Sequence, residues 1–267
     1  MLIESYEQAE EKGAFQLSGY VSNIMWTADE LRKMIGRGCF ELTEIPGGRL
    51  WVYRTENRNQ LYYQADGAQT DNMRPGMLNC YGCVAEIITT SAQQTKKEID
   101  RKILQRLGFG RNSTALFMAS TRGESIPAHE TQALRKATME DIGGICQIYE
   151  ESFDPLTDAI PDRKQLADDI AQGRVLVMTR REGERQIIGT AQQQKTNRRT
   201  FIRHVAIAPA WRNLGYGKIV MDAIMDGMQP GEKAVLWVKE DNKPAIRLYE
   251  RLGFQRQDRR IEIWTRN

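Results

Sequence analysis

The chain has 267 residues, 40% of them apolar and 27% charged, with 38 basic against 35 acidic side chains and a formal net charge of +3. That length accommodates one large or two ordinary globular domains. Both signs of charge are spread along the chain, which argues against a nucleic-acid-binding surface, and no apolar run is long enough to span a membrane. The opening MLIESYEQAEEKG is acidic and lacks a continuous apolar stretch, so neither a signal nor a transit peptide is expected and the default compartment is the cytoplasm.

Taken in chain order, the first informative segment is EIITTSAQQTKKEIDRKILQRLGFGRNSTALFM at 86–118, which reads as strand, polar turn, helix, a Leu107-Gly108-Phe109 stop and a second strand. The preceding DGAQTDNMRPGMLNCYGC shows no helical periodicity. Within it, Cys80 and Cys83 have C-x-x-C spacing. A structural zinc would need two more clustered ligands, and only the isolated Cys39, Cys146, His129 and His204 remain; a thioredoxin-like pair would need its own βαβ context. A buried or incidental role with reduced thiols is therefore expected, and no metal. The polar stretch TRGESIPAHETQ holds Gly and Pro and reads as a linker at 121–132, dividing a domain at 1–120 from one at 133–267.

Beyond the linker, a short strand at Leu134–Ala137 is followed by Thr138 and Asp141, a capping-box pair that opens a helix running to about Phe153. The loop DPLTDAIPD leads into a second short helix near Arg163–Gln172. Strands are expected at Arg174–Thr179 and Gln186–Gln193, joined by a turn around Gly183, with a third beginning near Thr200. That third strand ends in VAIAPAWRNLGYGK: small and β-branched residues, a proline that ends the ladder, then glycines just ahead of a helix with apolar residues at Ile219, Val220, Ala223, Ile224 and Met228. A helix start carries unpaired N–H groups and the positive end of its dipole, so an anionic ligand suits it. It is not a Walker loop, since position 212 is Arg, nor a dinucleotide fingerprint, since position 220 is Val. A further apolar strand, a polar turn and a helix stopped at Gly253 follow in AVLWVKEDNKPAIRLYERLGF.

Together, V-A-I-x-P-x-x-R-N-x-G-Y-G-K and N-K-P-A-I-R-L-Y-E-R-L-G-F resemble the acetyl-CoA-binding core of the GCN5-related N-acetyltransferase (GNAT) superfamily, with Arg212, Gly215 and Gly217 meeting its Q/R-x-x-G-x-G/A signature. The resemblance spans roughly Leu134 to the C-terminus. It implies an α/β protein with a mixed sheet in the acyl-CoA N-acyltransferase fold. Residues 86–118 repeat the order of 234–264, so the N-terminal half reads as a degenerate tandem copy that has lost its cofactor loop; Leu104 stands where the C-terminal half has Tyr249, and Lys97 where it has Asn242.

The same resemblance implies acetyl-CoA as acyl donor. Backbone groups of the Val205-Ala206-Ile207 segment, Val205 and Ile207 in particular, would pair with the pantetheine arm where this strand parts from Val235–Lys239. The amides of Arg212, Asn213, Leu214, Gly215, Tyr216, Gly217 and Lys218 would cradle the pyrophosphate, with the backbone weighted above the Arg212 and Lys218 side chains. Asn242 matches a cofactor-contacting or turn position and also suits an N-cap. Tyr249 matches the family's general acid. The chain departs from a common family pattern at the base: a glutamate position falls on Phe201. His204 is one alternative, although strand alternation puts it opposite Val205 and Ile207; Asp154, Asp158 and Asp162 are others, which could equally be turn and cap residues; deprotonation through water is a third.

The implied activity is acetyl transfer to a primary amine, with a small-molecule acceptor favoured and direct attack in a ternary complex. Protein N-terminal or lysine acetylation is the first alternative and a non-catalytic acyl-CoA-binding module the second. Oligomeric state is not legible.

Overall fold

The computed structural model describes residues 1–121, 134–180, 186–196 and 198–267. The expected linker, from 122 onward, and the turn around Gly183 lie outside the described residues. The described chain forms two compact units, Met1–Thr114 with Asp258–Asn267, and Ala115–Gln257.

The first unit contains β1 (Leu2–Ile3), α1 (Tyr6–Glu11), β2 (Val21–Ser22), α2 (Ala28–Ile35), β3 (Cys39–Ile45), β4 (Gly48–Arg54), β5 (Asn59–Ala65), β6 (Cys83–Thr89), α3 (Gln94–Arg106) and the start of β7 (Gly110–Thr121). The second contains the rest of β7, then β8 (Leu134–Lys136), α4 (Ile142–Ser152), α5 (Arg163–Ala171), β9 (Val175–Thr179), β10 (Ile187–Thr196), β11 (Arg199–Ile207), α6 (Tyr216–Asp226), β12 (Lys233–Lys239) and α7 (Lys243–Arg251); the final strand, β13 (Gln255–Arg266), returns to the first unit from Asp258. Among the described residues, no helix is long and apolar enough to cross a membrane.

The strand ladders of the two units follow one plan. In the second unit the ladder runs β8, β9, β10, β11, all antiparallel, then β12 parallel to β11 and β7 antiparallel to β12. In the first it runs β1, β3, β4, β5, antiparallel, then β6 parallel to β5 and β13 antiparallel to β6. Each half of the sequence thus supplies the last strand of the other half's sheet. This departs from contiguous domains at 1–120 and 133–267, because the apolar strand after each helix finds its antiparallel partner in the opposite half of the sequence: Ala115–Thr121 on β12, and Arg260–Arg266 on β6. Even the helix stops match, with Phe109 N donating to Leu104 O and Phe254 N to Tyr249 O, both at 2.9 Å. Between their parallel strands the units differ. The second has α6, whereas the first has only two 3₁₀ turns, Gly67–Asn72 and Pro75–Met77.

Strand alternation builds the cores. On β9, Leu176 and Met178 face a cluster that includes Val220, Ile224, Ile246, Tyr249 and Phe254, while Val175 and Val177 face Ile145, Tyr149, Leu166 and Ile170 of α4 and α5. On β4, Leu50 and Val52 pack toward α3, and Trp51 and Tyr53 toward Leu31 of α2.

The α4 entrance forms as its residues predict: Thr138 and Asp141 close a capping box, and Arg135 adds two bonds to the Asp141 carboxylate at 2.6 and 2.8 Å. The Arg135 bonds hold the Asp141 pKa down to about 2, below the ~3.9 of an unfolded chain. A depressed carboxylate stabilises the fold fully above the unfolded pKa and loses that contribution as pH falls toward the folded one. Asp141→Asn should accordingly flatten the dependence of the urea midpoint on pH between about 4 and 2.

Cys80 and Cys83 are disulfide-bonded, which corrects the expectation of reduced, incidental thiols. The Cys-Tyr-Gly-Cys turn brings their Cα atoms to 6.1 Å, within the span a disulfide requires. Among the described residues no His/Cys/Asp/Glu cluster could hold a metal ion.

Candidate active site

The second unit's parallel pair is short. β11 and β12 are registered only from Arg199↔Lys233 to Ile202↔Leu236, and beyond that point Arg203–Ile207 and Trp237–Lys239 are not paired with one another. A cleft of about 350 Å³ opens there, lined by Ile202 to Val205 on one strand, Leu236 to Lys239 on the other, and by Phe153, Asp154, Asp158, Asn242 and Tyr249. Sheets rarely leave backbone groups unpaired in the interior, so a parted central pair is suited to an extended ligand that supplies the missing hydrogen bonds.

Tyr249 reaches this cleft from α7. Asn242 N-caps that helix, accepting from Ala245 N at 3.2 Å, and Ile246 and Tyr249 turn into the core one helical turn apart. Tyr249 packs on Phe254, with ring centroids 5.8 Å apart, and is itself buried. Burial alone pushes its phenol up to about 12, so it is protonated at neutral pH.

The glycine loop follows β11. Gly215 caps α6 at φ +87°, a left-handed conformation that disfavours any side chain, and a Cβ there would meet nothing within 4 Å. Gly217 answers a different need: a Cβ would lie 3.3 Å from Leu248 of α7. Asn213 is also left-handed, at φ +64°, and Leu214 is exposed. The side chains of this loop are occupied. Arg212 donates to Ile207 O at 2.9 Å, Glu151 O at 3.2 Å and Ser152 Oγ at 2.9 Å, tying the loop to the end of α4, and Lys218 pairs with Asp222. What the loop presents is backbone at a helix N-terminus.

The three loop acids have separate jobs. Asp154 Oδ1 accepts from Leu156 N and Thr157 N, and Asp162 caps α5 through Gln165 N at 2.7 Å. Asp158 accepts from Asp154 N and from Lys239 Nζ, both at 2.8 Å, while Lys239 also donates to Thr157 Oγ1 at 2.9 Å. Lys239 thus pins the loop to the end of β12. Neither Lys239 nor Gln192 was singled out from the sequence as a site residue; the only signal for Lys239 is a lysine that follows the apolar run Ala234–Val238.

His204 lies on the face opposite Val205 and Ile207, as alternation puts it, since it meets rings on the α4 side while Val205 and Ile207 pack on the α6 and α7 cluster. In the β10–β11 ladder Thr190 pairs with Ala206 and Gln192 with Arg203, so His204 and Val205 together oppose the single Ala191: a β-bulge, with His204 left-handed at φ +48°. Both His204 and Val205 line the cleft. The imidazole sits against the rings of Tyr149 and Phe153, at 5.5 and 5.6 Å between centroids. Burial, with the Arg203 charge adding, pushes it down to about 4 against the opposing pull of the Asp158 carbonyl and carboxylate.

This mixed sheet with a parted parallel pair and a glycine-capped helix is the acyl-CoA N-acyltransferase fold. Residues 142–254 match the model of the acetyltransferase (GNAT) family, and the C-terminal half of the chain is a domain of that family. Solved structures extend the likeness over more of the chain: a GCN5-related N-acetyltransferase from Kribbella flavida is 15% identical with TM-score 0.56, covering 89% of this chain and 92% of its own. An acetyltransferase of the GNAT family from Colwellia psychrerythraea, 10% identical with TM-score 0.54, covers 100% and 99%. Another, from Novosphingobium aromaticivorans, is 14% identical with TM-score 0.53 and covers 84% and 92%. At these identities the likeness concerns fold alone. No curated protein matches the sequence.

Proposed function

We propose that the chain is an acetyl-CoA-dependent N-acetyltransferase acting on a primary amine of a small molecule by direct attack in a ternary complex, with the C-terminal half catalytic and the N-terminal half a degenerate copy. The observation that carries this reading is a protonated, buried Tyr249 in the cleft where β11 and β12 part, with the α6 N-terminus following the same strand. Acetyl-CoA would supply an activated acyl group as a thioester. The Val205–Ile207 segment, which β12 leaves without a strand partner and of which Arg212 takes the Ile207 carbonyl, suits its pantetheine amides. Within the 212–218 loop the amides from Asn213 to Gly217 suit its pyrophosphate, an anion at a helix N-terminus, since those of Arg212 and Lys218 donate to Pro209 O and Gly215 O. The fit rests on backbone, since the Arg212 guanidinium is already committed to α4 and Lys218 to Asp222. A backbone N–H at the parted strands can donate to the carbonyl oxygen as charge develops, and a positioned donor of this kind contributes roughly 3–4 kcal/mol. Tyr249 Oη holds the proton that the departing sulfur requires.

A small acceptor is favoured because Lys239 fastens the loop, at Thr157 and Asp158, to the end of β12 beside the cleft. Titration of acetyl-CoA is expected to give one site per chain, because the first unit lacks a helix between β5 and β6, and free CoA should appear when small primary amines are added. Two sites would refute the degenerate-copy reading. Turnover only with peptide amines would favour a protein acceptor, and binding without turnover would favour a non-catalytic acyl-CoA module.

A further inference from the structure

A direct attack needs a base on the acceptor side, and the three loop acids are poorly placed to be one: Asp154 and Asp162 hold backbone amides, and Asp158 is held by Lys239. His204 is held differently. Gln192 Oε1 lies 2.7 Å from its Nδ1, and Gln192 Nε2 lies 3.4 Å from Asp169 Oδ2. The carboxylate can only accept, so the Gln192 amide must turn its NH₂ toward Asp169 and its oxygen toward the histidine. That oxygen in turn accepts from Nδ1–H, which leaves Nε2 as the unprotonated nitrogen of a neutral imidazole. The chain Asp169, Gln192, His204 crosses from α5 through β10 to the bulge of β11, and a left-handed non-glycine residue there is a strained conformation of the kind found at functional sites.

We infer that His204 is the general base of the transfer and that Gln192 is the residue that positions it. This rests on the acetyltransferase reading above. Nε2 gains one proton from the amine nitrogen as the N–C bond forms, Tyr249 Oη gives one to sulfur as the C–S bond breaks, and water restores both groups. The imidazole is neutral at working pH and needs no prior deprotonation. Once protonated, Nε2 has the Asp158 carbonyl at 3.4 Å, with the Asp158 carboxylate near by. The other charged or titratable groups around it are Arg203, Tyr149 and, along the cleft, Asp154, Lys239, Asp241 and Tyr249.

The chain has two histidines, so ¹⁵N spectra of its imidazoles are simple to assign with a His204→Gln variant. His204 is expected to show the Nδ1–H tautomer and no titration between about pH 6 and 8. His204→Gln should lower kcat by about 10²-fold or more, the usual worth of a general base, with acetyl-CoA affinity by calorimetry unchanged. Gln192→Leu should keep that affinity, lower kcat and shift the tautomer toward Nε2–H; Gln192→Glu, a carboxylate facing Nδ1, should move the acid limb of kcat/KM to higher pH. An Nε2–H tautomer in the wild type, or unchanged kcat in His204→Gln, overturns the assignment while leaving the acetyltransferase reading intact. A wild-type protein that binds acetyl-CoA but acetylates no amine overturns both.

Discussion

Replacing Tyr249 by Phe should lower kcat about 10²- to 10⁴-fold, the range for loss of a positioned acid, while acetyl-CoA affinity measured by calorimetry stays within a factor of about two to three. The reason lies in what the substitution keeps. The ring fills the same space in the core formed by Ile246 and Phe254, and burial alone sets its pKa, so removing the hydroxyl strips no buried partner of its hydrogen bond. The loss should be smallest for acyl donors whose leaving group is more acidic, because a better leaving group needs its proton less. An unchanged kcat would remove Tyr249 from the chemistry and favour a binding module.

Gly215→Glu is expected to abolish measurable acetyl-CoA binding. Two effects add. A non-glycine residue at φ +87° costs roughly 1–2 kcal/mol, and the new carboxylate sits at the helix start, neutralising the dipole and repelling the pyrophosphate. Gly215→Ala separates them: strain without charge should weaken binding by roughly tenfold, on the 1.4 kcal/mol per decade scale. Space is not the issue, since a Cβ at this position meets nothing within 4 Å. Equal affinity in wild type and Gly215→Glu would place the cofactor elsewhere.

The elements around the site were legible because their signals are local. Thr138 with Asp141 announced α4, Asn242 ahead of Pro244 announced α7, and the glycines at 215 and 217 announced the start of α6. Each depends on hydrogen bonds or steric limits within a few residues. Arg212 shows where that reasoning stops. Its place in the signature set its backbone above its side chain as a phosphate contact and gave the side chain no partner, whereas its guanidinium bonds Glu151 and Ser152, some sixty residues away in the chain, to hold the loop.

The sequence by itself determined the helices and strands of the second unit, the glycine-capped loop and the presence of Tyr249 on the apolar face of α7, because backbone sterics, capping and periodicity act over one or two turns. Tertiary structure alone decided three things. The strand partners of β7 and β13 depend on which sheet edge is open, which no local pattern encodes. The Cys80–Cys83 bond depends on the geometry of a turn. The left-handed conformation of His204 depends on its register against β10, where it and Val205 together oppose Ala191. A bulge is a property of two strands together, so one strand read alone cannot reveal it.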